Sequence, residues 1–303
     1  DVNGTTITSI PNSSGQCLPF ATYIGSSATA TTCPNVDPVG YSLEHLGQQA
    51  FPQQAWGKRY LITPTSIDEN PYAQNENTFR VMVKDPATVV RRNGIQLTGL
   101  TRSYYEFQSR TADVIEAVQP IQVAQILPSQ NSCGFVGRTD PDYTLLSPVE
   151  QAIKQTRFYR GSVDHIEYNF LSLTIPTAGI SSLKIDGMLN NYTHSYPHPN
   201  YPGYSVVVRR WFVRSNTDPR PPAQVTVESD SAFNAITYGL GPAETYVYNA
   251  GTYVNNLNGI PYLKNQYNTA DTANKYTCVN TPVDLYVLLR YKPSKLFWQL
   301  SKL

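Results

Sequence analysis

Apolar and polar residues alternate with a period of two along most of this 303-residue chain, the spacing of strands that bury one face. Phe79, Val81 and Val83 share a face of one such run. Thr88 to Arg92 leads into Asn93-Gly94, a strong hairpin signal, and Ile95 to Thr98 returns. Ser103 to Gln108, Asp113 to Val118 and Ile121 to Leu127 complete a set of about seven strands. A second set follows: Phe170 to Ile175, Ser182 to Ile185, an Asp186-Gly187 turn, Tyr204 to Val213, Gln224 to Glu228 and Phe233 to Gly239. Short strands at this density, broken by Gly, Pro and Asn, predict an all-β fold of tandem β-sandwich modules with very little helix. The one helical signal is Ser147-Pro148-Val149-Glu150, a capping box with proline at the first helical position, predicting about two turns to Gln155.

The pattern repeats. Cys33, Asp37-Pro38, Tyr41, Leu43 and Gln48-Gln49-Ala50-Phe51 recur in order as Cys133, Asp140-Pro141, Tyr143, Leu145 and Glu150-Gln151-Ala152-Ile153. Pro19 to Tyr23 matches Pro120 to Ala124 and Ala232 to Ile236, Tyr60 to Pro64 matches Leu171 to Pro176, and Asn93-Gly94 matches Asp186-Gly187. A period of about 100 residues marks a tandem array. It divides the chain into closing strands of a preceding β module at 1–54, complete modules at 55–155 and 156–258, a linker at 259–275, and a new strand pattern at 276–303.

Composition sharpens this reading. Charged residues are 15% and mean hydropathy is −0.35, so Thr, Ser, Asn, Gln and 22 Tyr replace the missing charge. Tyr and Thr suit half-buried pleated surfaces, and 23 Pro with 18 Gly punctuate short strands. A net charge of +1 argues against a nucleic-acid partner. No apolar run is long enough for a membrane-spanning helix. The polar start at Asp1 implies that any export signal has been removed or lies outside this sequence.

Of the four cysteines, Cys17 and Cys33 flank a Ser/Thr/Gly-rich stretch able to bend back, which predicts a local disulfide and an oxidising compartment. Two small buried thiols are the plainer alternative. Cys133 and Cys278 are left open: paired, free or bonded elsewhere. His194 and His198 have a spacing that could chelate zinc on a helix, but the prolines that follow forbid a helix, and no metal or cofactor is expected. No Gly-x-Ser-x-Gly elbow is present, no base is placed beside a nucleophile, and the carboxylates are scattered. Asp140 and Asp142 suit a turn better than a calcium loop. No catalytic residue is assigned and no enzyme is expected.

One segment stands apart. Asn190 to Tyr204 holds Tyr192, Tyr196, Tyr201 and Tyr204 with His194, His198 and several prolines, where the first module has only a short connection. Tyrosines offer broad contact area at small entropic cost and prolines pre-order a loop. Tyr192, Tyr196, His198, Tyr201 and Tyr204 are therefore candidate ligand contacts, against the alternative that the rings pack on the sandwich edge. Arg209, Arg210 and Arg214 beside Trp211 either stack on the indole or alternate outward.

These landmarks carry a family resemblance. Trp56-Gly57-Lys58-Arg59-Tyr60 entering a strand that ends at Pro64, Asn93-Gly94 after Thr88-Val89-Val90, and Tyr104-Tyr105-Glu106-Phe107 resemble the IgGFc-binding protein N-terminal domain family. Ile115-Glu116-Ala117 with Pro120 to Ala124, Pro148 to Gln151 before Phe158-Tyr159, and Ile180 to Gly187 extend the match over about residues 15–255. Thr277 to Val283 with Phe297-Trp298 resemble the opening of a PKD-type β-sandwich, although Gln299-Leu300-Ser301 replace the usual glycine and aspartate. The resemblance implies a large exported bacterial cell-surface protein of the Bacteroidota kind, often sent out by the type IX machinery and sometimes linked to adhesion or gliding. The expected role is a non-enzymatic adhesion or spacer region, extracellular, with a glycan or protein ligand. An accessory carbohydrate-binding region of a secreted hydrolase is the alternative.

Overall fold

The structure is a computed structural model that describes residues 4–10, 20–32, 42–67, 70–130, 132–133, 138–161, 165–212, 223–254, 260–265 and 282–288. It is nearly all antiparallel β. The strands are β1 (Tyr23–Thr29), β2 (Glu44–Gln49), β3 (Gly57–Ile62), β4 (Asn77–Val83), β5 (Val90–Arg92), β6 (Ile95–Gln96), β7 (Tyr104–Ser109), β8 (Asp113–Leu127) and β9 (Asp142–Leu145). A second series comprises β10 (Ile153–Tyr159), β11 (Tyr168–Pro176), β12 (Lys184–Ile185), β13 (Met188–Leu189), β14 (His194–Pro197), β15 (Tyr204–Phe212), β16 (Gln224–Gly241) and β17 (Glu244–Asn249). β18 (Ile260–Lys264) and β19 (Asp284–Leu288) form a further antiparallel pair.

Two long strands organise everything else. The first part of β8 pairs with β3 and β5, and its second part pairs with β4 and β9. In the same way β16 pairs first with β10 and β12 and then with β11 and β17. Each long strand therefore passes from one sheet of a sandwich to the other. The bend falls where register slips, between Gly57 and Arg59 opposite β8 and between Ile153 and Gln155 opposite β16, the work of a bulge. At the first bend Tyr60 is fully buried; its hydroxyl donates to the Ile121 carbonyl at 2.7 Å and accepts from the Gly57 N–H.

The pairing fixes which residues are equivalent. Gly57 faces Ile121 as Ile153 faces Phe233, and Asn77 and Asn169 take the same place at the buried ends of β4 and β11. A third copy of part of this pattern is β1 with β2: the Ala50 N–H donates to the Thr22 carbonyl, Leu146 to Val123, and Ala250 to Ala235. Thr22, Val123 and Ala235 keep the register expected from Pro19–Tyr23, and both Asn-Gly and Asp-Gly turns close hairpins on the first part of the long strand.

Four expectations need correction. Tyr60–Ile62 of the Tyr60–Pro64 match belong to β3, whose counterpart is β10, whereas Leu171–Pro176 belongs to β11, the counterpart of β4. Similar apolar spacing in neighbouring strands misled the match. Gln48–Phe51 is likewise out of step: Pro52-Gln53-Gln54-Ala55 is the true partner of Pro148-Val149-Glu150-Gln151, each a proline followed by a single 3₁₀ turn. That turn replaces the expected two-turn helix. Pro148 sits outside the turn as its cap, no side chain caps it, and the β-branched residue Ile153 at once enters β10. Within 259–275, expected as linker, Ile260–Lys264 forms β18.

The two modules share a core. One cluster joins Tyr60, Ile62, Phe79, Val81, Ile115, Ile121 and Val123 of the first with Tyr168, Phe170, Val206, Val208, Ile236, Tyr238 and Leu240 of the second. A second cluster, with Leu171, Leu173, Val207, Val225, Val227 and Phe233, lies inside the second module. Strand β11 thus buries both faces, which explains why Phe170 to Ile175 reads as a nearly unbroken apolar run. Phe170 and Tyr238 stack at 4.8 Å, and the Tyr238 hydroxyl accepts the Ser66 N–H of the first module at 2.7 Å. Burial raises the pKa of that phenol strongly, so it stays neutral.

Along the seam, β9 lies between β2 and β17. Asn249 donates to the Leu145 carbonyl at 3.1 Å and to the Ser147 hydroxyl at 2.7 Å; Asp142 accepts the Val247 N–H at 2.7 Å; the Asp140 N–H donates to Thr245 Oγ1 at 2.7 Å. By the same register Glu44, Asp140 and Glu244 are equivalent positions, and their charges meet. Asp140 is pushed up to about 6 by burial first, with Glu44 and Glu244 adding repulsion. Asp142 is pushed up to about 7, again by burial first, while N–H donation from Val247 and Tyr143 pulls the other way.

Two tests follow from this arrangement. Because Phe170 belongs to the joint cluster, Phe170→Ala should cost about 3–5 kcal/mol and lower a single calorimetric transition that covers both modules; two separate transitions, with only the later one shifted, would contradict a shared core. The aspartates give a pH signature. Their folded values lie above the ordinary carboxylate value of about 4, so their favourable contribution is complete below about pH 4 and is lost as pH rises through 6 to 7. Asp142→Asn should flatten the fall of melting temperature between about pH 4 and 7; an unchanged slope would remove Asp142 as its source.

Candidate functional site

The Tyr/Pro segment enters the fold as an added strand and a turn. β14 pairs with the outer edge of β15, from His194 opposite Val208 to Pro197 opposite Ser205. Among the described residues the first module has no counterpart, since β7 is the last strand of its sheet there. After Pro197 the chain turns back: the His198 N–H donates to the Tyr204 carbonyl at 2.9 Å, and Gly203 adopts a φ of +86°, a conformation that favours glycine.

The turn docks on the first module. Arg59 of β3 donates to the Tyr201 hydroxyl at 2.9 Å, lies 5.3 Å from its ring centre, and pairs with Glu116 at 2.7 Å. Tyr201 and Tyr204 meet with ring centres 5.1 Å apart. Asn200 donates to the Ala112 carbonyl at 2.9 Å. His198 is 3% exposed, its Nδ1 accepts the Asn200 N–H, and burial lowers its pKa to about 4 despite Asp113 nearby. It is a neutral packed ring. His194 and His198 sit four residues apart along extended chain, about 13 Å at ~3.3 Å per residue, too far to share a metal. Among the described residues, no group of three His, Cys, Asp or Glu could hold a metal ion.

A row of rings along β14 ends at the exposed Tyr72. Tyr72, 69% exposed, lies 4.6 Å from His194, and His194 stacks on Tyr196 at 5.9 Å. The Tyr196 hydroxyl takes a hydrogen bond from Gln74, its ring packs against the shared core, and burial pushes its pKa up to about 12. Burial likewise lowers the pKa of His194, so these two rings are uncharged at neutral pH. Tyr192 packs on the second module's own core. Of the five residues proposed from the sequence, His198 is buried and the four tyrosines are partly buried. Tyr196 sits in the row with Tyr72 and His194, while Tyr201 and Tyr204 sit with Arg59 and Glu116.

Three participants were not among the sequence candidates: Tyr72, Gln74 and Arg59. They come from the first module, 120 or more residues away from β14 in the chain. Asn70-Pro71-Tyr72 does announce a turn; Asn70 accepts the Tyr72 N–H there. A row of rings flanked by an amide can stack against a proline, an apolar side chain or a sugar face. Trp211 offers no such surface, being 8% exposed under Arg160 and Arg209 at 5.2 and 5.5 Å; Arg214 lies outside the described residues. Cys133 is disulfide-bonded. The proposed Cys17–Cys33 pair, like Cys278, lies outside the described residues.

No helix of the described residues is long and apolar enough to cross a membrane. No curated protein and no solved structure matches this chain. The family model described as IgGFc binding protein matches residues 1–239, which takes in β8 and all but the last two residues of β16; the segment resembling a PKD domain lies beyond it. With 239 of its 303 residues matched in one stretch, the chain belongs to the IgGFc-binding protein family.

Proposed function

We propose that this chain is a non-enzymatic binding region of an exported cell-surface protein and takes a protein ligand across the Tyr72–His194–Tyr196 row. The observation that carries the reading is that row: an exposed tyrosine continued by two stacked rings, built across the seam between modules. The family description adds a protein as the kind of ligand. The disulfide at Cys133 accords with an oxidising, extracellular setting. A bacterial surface reached by type IX export, with a part in adhesion or gliding, is the setting that the sequence resemblance implies. The rigid shared core would hold the row in one shape, so that little freedom is lost on binding.

Tyr72 is the discriminating residue, because its ring is exposed and Tyr196 is not. Binding of the purified chain to immobilised immunoglobulin Fc and to a glycan array should find the Fc. Tyr72→Ala should then weaken that binding by about 1–3 kcal/mol, as anchor residues do, with no change in melting temperature. Tyr196→Ala should lower both. Unchanged Fc affinity in Tyr72→Ala would remove the row as the site, and binding to sugars alone would favour the carbohydrate-binding alternative.

A further inference from the structure

The partial third copy, β1 with β2, has one partner fewer than its equivalents. The second part of β8 is flanked by β9 on one side and β4 on the other, and the second part of β16 by β17 and β11. Among the described residues β1 pairs with β2 alone. Its register shows which backbone groups are left over. The Ala50 N–H bonds the Thr22 carbonyl, so Thr22 and Ile24 turn toward β2 while Tyr23 and Gly25 point their N–H and C=O the other way. In the complete copies the groups equivalent to Tyr23, on Ala124 and Ile236, meet Arg80 of β4 and Ser172 of β11.

Exposure follows the same comparison. Phe20 is 53% exposed where Ile121 and Phe233 are fully buried; Tyr23 is 74% exposed where Ala124 and Ile236 are 5% and 7%. Apolar residues at core positions, beside a strand edge that is unpaired among the described residues, describe a half-built module rather than a finished surface.

We propose that β1 is a strand-acceptor edge that takes up an extended, apolar-alternating strand of the β4 and β11 kind. The donor is a further repeat of this module in the same polypeptide, because both complete copies are closed in that way by their own polypeptide. The contact is β-augmentation: main-chain bonds to Tyr23 and Gly25, with the donor's apolar side chains covering Phe20 and Tyr23.

The test uses the whole chain and a synthetic peptide with the β4 sequence, residues 75–84, as the probe. Hydrogen exchange at the Tyr23 and Gly25 amides should slow about tenfold when the edge is nine-tenths occupied. A peptide N-methylated at the positions of Arg80 and Met82, whose N–H groups would face β1, should give no protection while the protein itself is untouched. Tyr23→Pro should also abolish it, since a proline there removes an edge donor without removing a bond to β2. No protection at saturating peptide, or protection of β7 or β8 in place of β1, would overturn the proposal. So would a dimer of the chain that Tyr23→Pro dissolves, because the occupant would then be a second copy.

Discussion

Everything in this fold depends on one constraint: a single strand must serve two sheets. β8 and β16 can do so only if their backbone turns a corner without losing its hydrogen bonds, and the bulge opposite Gly57 and Ile153 supplies the corner. The corner has to be held. In the first module Tyr60 holds it, spending its buried hydroxyl on the Ile121 carbonyl and the Gly57 N–H. Gly57 is needed there for space as well, because a Cβ would lie 2.2 Å from the Pro148 side chain. Once each long strand is bent, the short strands on either side have fixed places, and the hairpins at Asn93-Gly94 and Asp186-Gly187 fall on equivalent edges.

The seam between modules follows from the same geometry. The sheet of β11, β15 and the second part of β16 has two apolar faces, one for its own sandwich and one for the first module. A face of that kind cannot be left to water, so the modules are parts of one body. Polar groups that cross the seam are correspondingly well placed: Asn249, Asp142 and the Tyr238 hydroxyl each meet a backbone group of the neighbouring module. The carboxylates Glu44, Asp140 and Glu244 come together there as a by-product of repetition, since one acidic position copied three times lands at one end of three adjacent strands.

Much of the fold was legible in the sequence because strand periodicity and turn chemistry are local. The Asn-Gly and Asp-Gly hairpins and the alignment of Pro19–Tyr23 with Pro120–Ala124 and Ala232–Ile236 rest on residues close together in the chain. The errors arose where local pattern is ambiguous. Tyr60–Pro64 and Leu171–Pro176 look alike because neighbouring strands of a sandwich share the same alternation, and pairing partners rather than side-chain pattern tell β3 from β4. Ser147-Pro148-Val149-Glu150 carries a valid start signal, yet the β-branched residues that follow belong to β10. The site was half legible: the tyrosines of Asn190–Tyr204 stand out by composition, but Tyr72, Gln74 and Arg59 join them only through tertiary contact. The inward face of Tyr196 and the burial of His198 depend on the first module in the same way.

The joint cluster around Phe170 and Tyr238 also has a mechanical meaning. Under a pull along the chain, separate beads on a string would yield one at a time, each paying out a modest length. Here the face of the second module is the cover of the first. Load sufficient to peel β11 from its neighbours strips both cores together, and the chain between Gly57 and Asn249 would extend in one event by roughly 600 Å at ~3.3 Å per residue. Such a pair behaves as a stiff link with a single large release, which keeps the aromatic row rigidly presented at low force.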